Sequence, residues 1–189
     1  MKTLDAFDKR RSYYYLDDNI KVDEKEIIDF VEEAVKIVPD AMGINTQNVI
    51  IVTGDAHKKL WDDIYDVYQG KVDRTKIDGF KAGYGTILFF YDETIIEENK
   101  KQYPFIEENF KPWAEQANGM LQITVWNGLT EMGLGVNLQH YNPVIDDMVR
   151  ESFDVNPNHI LLSQMVFGNI IADPEPKEKT IGNRVRIVK

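Results

Sequence analysis

Arg10-Arg11-Ser12-Tyr13-Tyr14-Tyr15 sets two guanidiniums, a hydroxyl and three aromatic rings side by side near the start of a strongly acidic chain. Neighbouring guanidiniums and a hydroxyl form a forked anion receptor suited to phosphate. A second pair of arginines stands at the far end, in Gly182-Asn183-Arg184-Val185-Arg186, on a strand-like alternation. A fold that joins the two ends would surround one phosphate with four arginines. Both pairs equally suit solvated surface charge, the ordinary place for such side chains.

The rest of the composition narrows that choice. The 189 residues, 43% hydrophobic, suffice for one sizeable core, so a single domain over 1–189 is expected. A net charge of −10 repels nucleic acid and anionic membrane, and neither is expected as a partner. An anionic ligand must then be gripped by a local basic cluster. Cysteine is absent, which removes disulfides, thiolate nucleophiles and cysteine-held metals. Met1-Lys2-Thr3-Leu4-Asp5 lacks the apolar core of a signal peptide, and no run of about eighteen apolar residues occurs, so a cytoplasmic protein is expected.

Hydrophobic spacing outlines the elements. Asp23 suits the cap of a helix carrying Ile27, Ile28, Val31, Ala34, Val35 and Val38, stopped by Pro39. Val49-Ile50-Ile51-Val52, apolar on both faces, predicts a strand in the middle of a sheet. A helix follows Asp55, with Leu60, Trp61, Ile64, Tyr65 and Tyr68 on one stripe, and Gly70 to Gly83 reads as an irregular charged connection. Thr86 to Tyr91 and Ile160 to Gly168 are further strands. The longest helical pattern runs from about Phe105 to Met132, apolar on more than one face, and ends at Gly133-Leu134-Gly135. Another helix opens near Pro143, and a Pro-, Glu- and Lys-rich tail from Asp173 leads to a terminal strand over 184–189 that suits a sheet edge.

His57, His140 and His159 stand apart, without metal-ligand spacing, so no metal is expected. Nucleophile elbow, phosphate loop and dinucleotide fingerprint are all missing from the sequence. A phosphate receptor and many aromatics without a nucleophile point to chemistry carried by a bound cofactor.

Arg10-Arg11-Ser12, Asn45-Thr46-Gln47-Asn48, Gly133-Leu134-Gly135 and Met165-Val166-Phe167-Gly168, in this order and spacing, resemble the nitroreductase family of flavoproteins. Trp113-Ala114-Glu115-Gln116-Ala117-Asn118-Gly119-Met120 and Asn137-Leu138-Gln139-His140-Tyr141-Asn142-Pro143 are similar to its fatty acid repression mutant branch. The resemblance spans nearly the whole chain. It implies an α+β fold, a mainly antiparallel central sheet flanked by helices, in an intertwined homodimer with FMN at the subunit interface. It also implies an FMN-dependent reductase of nitroaromatics or quinones, fed by NADH or NADPH, in which no protein acid or base is needed for hydride transfer.

On that resemblance Arg10 and Ser12 hold the FMN phosphate, and Arg184 and Arg186 of the tail 173–189 close over it. Arg11 reaches the ribityl chain or the pyrimidine edge. Asn45 and Gln47 donate to the flavin or, across the dimer, to its sugar. Gln139, His140 and Tyr141 run beside the ring near N5. The family often carries a lysine two residues after the serine, where this chain has Tyr14, which leaves Arg11 to balance negative charge near N1 and O2. Phe105, Phe110 and Trp113 are candidate substrate walls from the partner subunit or, equally, core residues, and His140 is a structural histidine or a proton donor. Two alternatives stay open: a flavin-binding regulatory or stress-response protein with only incidental turnover, and arginines that bind some other phosphate with no flavin.

Overall fold

Thr86-Ile87-Leu88-Phe89-Phe90-Tyr91 forms the middle of β3 (Gly85–Asp92), whose residues are buried as far as Tyr91. The structure, a computed structural model, describes residues 2–189. Beside β3 on one flank runs β2 (Gln47–Thr53), and on the other β5 (His159–Ile170). The far side of β5 takes β4 (Gly135–Gln139) and the two-residue β1 (Leu16–Asp17). All four pairings are antiparallel.

Alternation along β3 builds two cores. Leu88 and Phe90 face α3 (Gly54–Val67), α4 (Arg74–Lys81) and α7 (Asp146–Phe153), through Trp61, Ile64, Ile77, Phe80 and Val149. Ile87 and Phe89 face α2 (Glu24–Ile37) and α6 (Glu107–Glu131), through Ile27, Val31, Leu121, Val125 and Leu129. A sheet covered by helices on both faces keeps its central strand apolar throughout. α1 (Lys2–Lys9) and α5 (Glu93–Gln102) complete the helices. α2 and α6 touch closely at Gly128, where a Cβ would lie 1.9 Å from the Phe30 ring.

Several sequence expectations are corrected here. Val49 to Val52 form an edge strand rather than a central one, because helices cover both faces of β2 while β3 alone pairs with it. The connection Gly70 to Gly83 contains α4, capped by the Asp73 carboxylate on Thr75 N–H and anchored by only two buried residues, Ile77 and Phe80. Two apolar positions are too few to reveal a helical period. α7 begins at Asp146, three residues beyond Pro143, and Gly135 to Gln139 are a strand. The terminal stretch 184–189 forms no strand among the described residues, with Val185, Ile187 and Val188 exposed. No helix among the described residues is long and apolar enough to cross a membrane.

A buried polar chain ties α3 to the sheet. Trp61 Nε1–H donates to Thr86 Oγ1 at 3.0 Å, Thr86 Oγ1 lies 3.0 Å from His57 Nδ1, and His57 Nε2 lies 3.2 Å from Phe80 O. A carbonyl can only accept, so Nε2 carries the proton and Nδ1 accepts from the threonine hydroxyl. Burial pushes the pKa of His57 down to about 4. The folded value lies below the ordinary one, so this contribution is complete above about pH 6.5 and is lost as pH falls through 4, a span worth about 3 kcal/mol. In urea unfolding between pH 6 and 5, His57→Gln is expected to flatten the fall in stability by up to about 1.4 kcal/mol per pH unit. An unchanged slope contradicts the neutral buried imidazole.

Candidate functional site

The opening basic and aromatic stretch leaves α1 at Arg10, whose N–H donates to Ala6 O at 3.1 Å, and runs onto the outer edge of β4. Ser12 bridges Val136 in parallel, and Tyr13 N–H donates to Val136 O at 2.9 Å. Asn137 Nδ2 then donates to Tyr13 O at 2.7 Å, and Gln139 Nε2 to Asn137 Oδ1 at 2.8 Å. The amides of β4 thus hold residues 12 and 13 on the sheet.

Two clefts open along this stretch. One, of about 670 Å³, is lined by Arg10, Lys177 and Lys179 together with Leu4, Asp5, Phe7 and Asp8. The tail crosses it: Lys179 Nζ pairs with Asp8 at 2.6 Å, and Arg11 Nη2 donates to Glu175 O. The hydrogen bond from Lys179 holds the Asp8 carboxyl below its usual pKa. The other cleft, of about 520 Å³, is lined by Tyr14, Tyr15, Thr75, Lys76 and Phe80. From Arg10 to Tyr14 the chain spans at most about 14 Å.

The C-terminal end of β4 is clamped from within. Tyr141 N–H donates to Gln164 Oε1 at 2.8 Å, and Tyr141 O accepts from Tyr68 O–H at 2.9 Å. The Tyr141 ring packs edge-on against Trp61 and Tyr68 at 5.7 and 5.4 Å, and burial raises its phenol pKa. Gln139 is buried and committed to Asn137, whereas His140 is exposed. Of the three residues expected beside the ring, His140 alone has an exposed side chain, and Tyr141 is a core residue whose backbone is already engaged.

The other expected residues divide similarly. Arg10 and Arg11 both meet the tail, but through Glu175, Lys177 and Lys179. Arg184 donates instead to Thr180 O and Ile181 O of its own turn. Among the contacts of this single chain, the four arginines do not converge. Asn45 is exposed at φ 57, its Nδ2 donating to Gly43 O at 3.1 Å, and Gln47 is buried with Nε2 on Ala117 O of α6 at 3.0 Å. Their loop is set by Asp40, whose carboxylate accepts from Thr46 N–H and Oγ1–H, both at 2.6 Å. Phe105 is fully exposed and Trp113 half-buried. Phe110 is fully buried against Tyr91, Ile96 and Ala114, so it is a core residue and not a wall.

Sequence reasoning did not single out Lys76, Phe80, Asn137, Lys177 or Lys179. Lys76 and Phe80 sit on the helix that read as irregular, and Asn137 entered only as the first residue of the Asn137-to-Pro143 motif. A signal for the tail lysines existed, since they are the nearest basic residues after Asp173. Among the described residues no group of three or more His, Cys, Asp or Glu side chains could hold a metal ion.

In sequence and overall fold the chain matches known proteins. The model of the Nitroreductase family matches residues 8–169. The chain belongs to the nitroreductase family. It is accordingly an oxidoreductase. It is 31% identical to nitroreductase FRM2 of Saccharomyces cerevisiae over 96% of this chain and 94% of that protein. It is 37% identical to the nitroreductase CinD of Lactococcus lactis, solved in complex with chloramphenicol, with 99% of each chain covered and a TM-score of 0.93. The same protein has been solved with 4-nitrophenol. The fold, at 14% identity and a TM-score of 0.75, is also that of a nitroreductase-family protein from Exiguobacterium sibiricum solved in complex with FMN, with 98% of this chain and 96% of that chain covered.

Proposed function

We propose that the chain is an FMN-dependent NAD(P)H oxidoreductase that reduces nitroaromatics and quinones, acting as an intertwined cytoplasmic homodimer. One observation carries the reading. Arg10 lines a basic cleft, forms no ion pair among the described residues, and lies four residues before Tyr14 of the aromatic cleft. In a protein of net charge −10 an arginine without a carboxylate partner is a ready anion receptor. The ligands of CinD, chloramphenicol and 4-nitrophenol, support nitroaromatics as acceptors.

FMN held by Arg10, Arg11 and Ser12 would supply two-electron hydride chemistry between a nicotinamide and an acceptor. The chain's own residues bind and orient. Arg10, Arg11 and Ser12 grip the phosphate through charge-assisted hydrogen bonds. Tyr14 stands where a lysine is common, and Lys76 brings a cation to its cleft, which supports Lys76 beside Arg11 as the balance for charge on the pyrimidine edge. His140, exposed at the end of β4, is the side chain of that segment best suited to meet an acceptor.

Residues 1–189 form one domain, and the second subunit completes it. β2 has a free edge with Val49, Ile50 and Ile51 half-buried, while Ile181, Val185, Ile187 and Val188 of the tail are exposed. Exposed apolar edges invite strand addition. The end of the tail beyond Lys179, reaching across to the partner, would cover that apolar surface and carry Arg184 and Arg186 to a phosphate. Asn45, Phe105 and Trp113 then face the partner's cofactor.

The full-length protein is expected to oxidise NADH or NADPH only when a nitroarene or quinone is present with FMN. Replacing Arg10 or Arg186 with alanine should weaken FMN binding by about 2 kcal/mol, roughly thirtyfold, as flavin fluorescence titration reads it. His140→Ala should keep the wild-type affinity. Full FMN affinity in both arginine variants would contradict the phosphate assignment.

A further inference from the structure

Arg10 rests on an indole. Its guanidinium carbon lies 4.5 Å from the centroid of the Trp126 ring, and among the described residues this is the partner its side chain has. Trp126 belongs to α6 and is 8% exposed. Its Nε1–H is buried without a hydrogen-bond acceptor. A buried donor without a partner costs stability, and phenylalanine at this place would avoid that cost. What indole offers over phenyl is the stronger attraction for a cation on its face. The position thus bears a structural penalty that makes sense if the cation above it must be held still.

Arg10 needs such holding because a free arginine side chain loses much rotamer freedom when it binds an anion. A carboxylate partner would fix the side chain but would also neutralise it and compete with the ligand. An aromatic face fixes it and leaves the charge available. We propose that Trp126 is a positioning residue for the cofactor phosphate: it seats the Arg10 guanidinium in advance and thereby raises affinity for a phosphorylated flavin over an unphosphorylated one. This rests on the assignment of Arg10 to the phosphate made above.

Full-length wild type, Trp126→Phe and Trp126→Leu, each freed of flavin, are titrated with FMN and with riboflavin, and their thermal unfolding is recorded. The expected losses of FMN affinity are about threefold for Trp126→Phe and about tenfold for Trp126→Leu, with riboflavin affinity unchanged. Trp126→Phe should unfold at the wild-type temperature or above, since it removes the unpartnered donor. Equal losses for both flavins would assign Trp126 to general packing and overturn the proposal, as would unaltered FMN affinity in both variants. A wild type that binds the two flavins equally would overturn the phosphate assignment itself, and this role with it.

Discussion

The backbone of residues 12 and 13 is fastened to the outer edge of β4, and the site depends on that seam. Tyr13 N–H on Val136 O and Asn137 Nδ2 on Tyr13 O place a flexible, highly charged stretch at a fixed register beside the sheet. The seam leaves Arg10 on one side, in a cleft with the tail, and Tyr14 and Tyr15 on the other, in an aromatic cleft with α4. Without it, two arginines and three tyrosines would be an unstructured run with the same composition and no geometry. The central strand β3 supplies the rigidity beneath, through a core on each of its faces.

Charge is organised locally against the global balance. The chain as a whole repels anions, yet Arg10, Lys177 and Lys179 gather about one cleft. Of these, Lys179 is answered by Asp8, while Arg10 rests on the Trp126 ring and forms no ion pair among the described residues. Burial pushes the His57 pKa down, so its cluster with Trp61 and Thr86 holds a neutral imidazole that ties α3 to β3. That cluster serves the scaffold.

Legibility in the sequence followed the strength of the periodic signal. The α2 cap at Asp23, the β3 and β5 runs and the long α6 stripe were all readable, because each carries many apolar residues at one spacing. α4 and α5 were not, since only Ile77 and Phe80 in the first and Ile96 in the second are buried. β2 was read as central because apolarity on both faces reports helix cover and says nothing of neighbouring strands. At the site, the arginines and Ser12 could be picked out from residue type alone. The burial of Phe110 depends on Tyr91 and Ile96, and the inward commitment of Gln47 and Tyr141 on Ala117, Gln164 and Tyr68, all distant in sequence from the residues they hold.

The central claim is that this seam displays a phosphate receptor and an aromatic cleft that together retain FMN at a contact between two chains. The most direct measurement combines the absorbance spectrum of freshly purified protein with its mass by light scattering. A band near 450 nm (an approximate expectation for oxidised flavin), one FMN per chain and a particle of twice the 21.9 kDa chain mass are expected. A colourless particle of single-chain mass, unchanged after incubation with excess FMN, would contradict it.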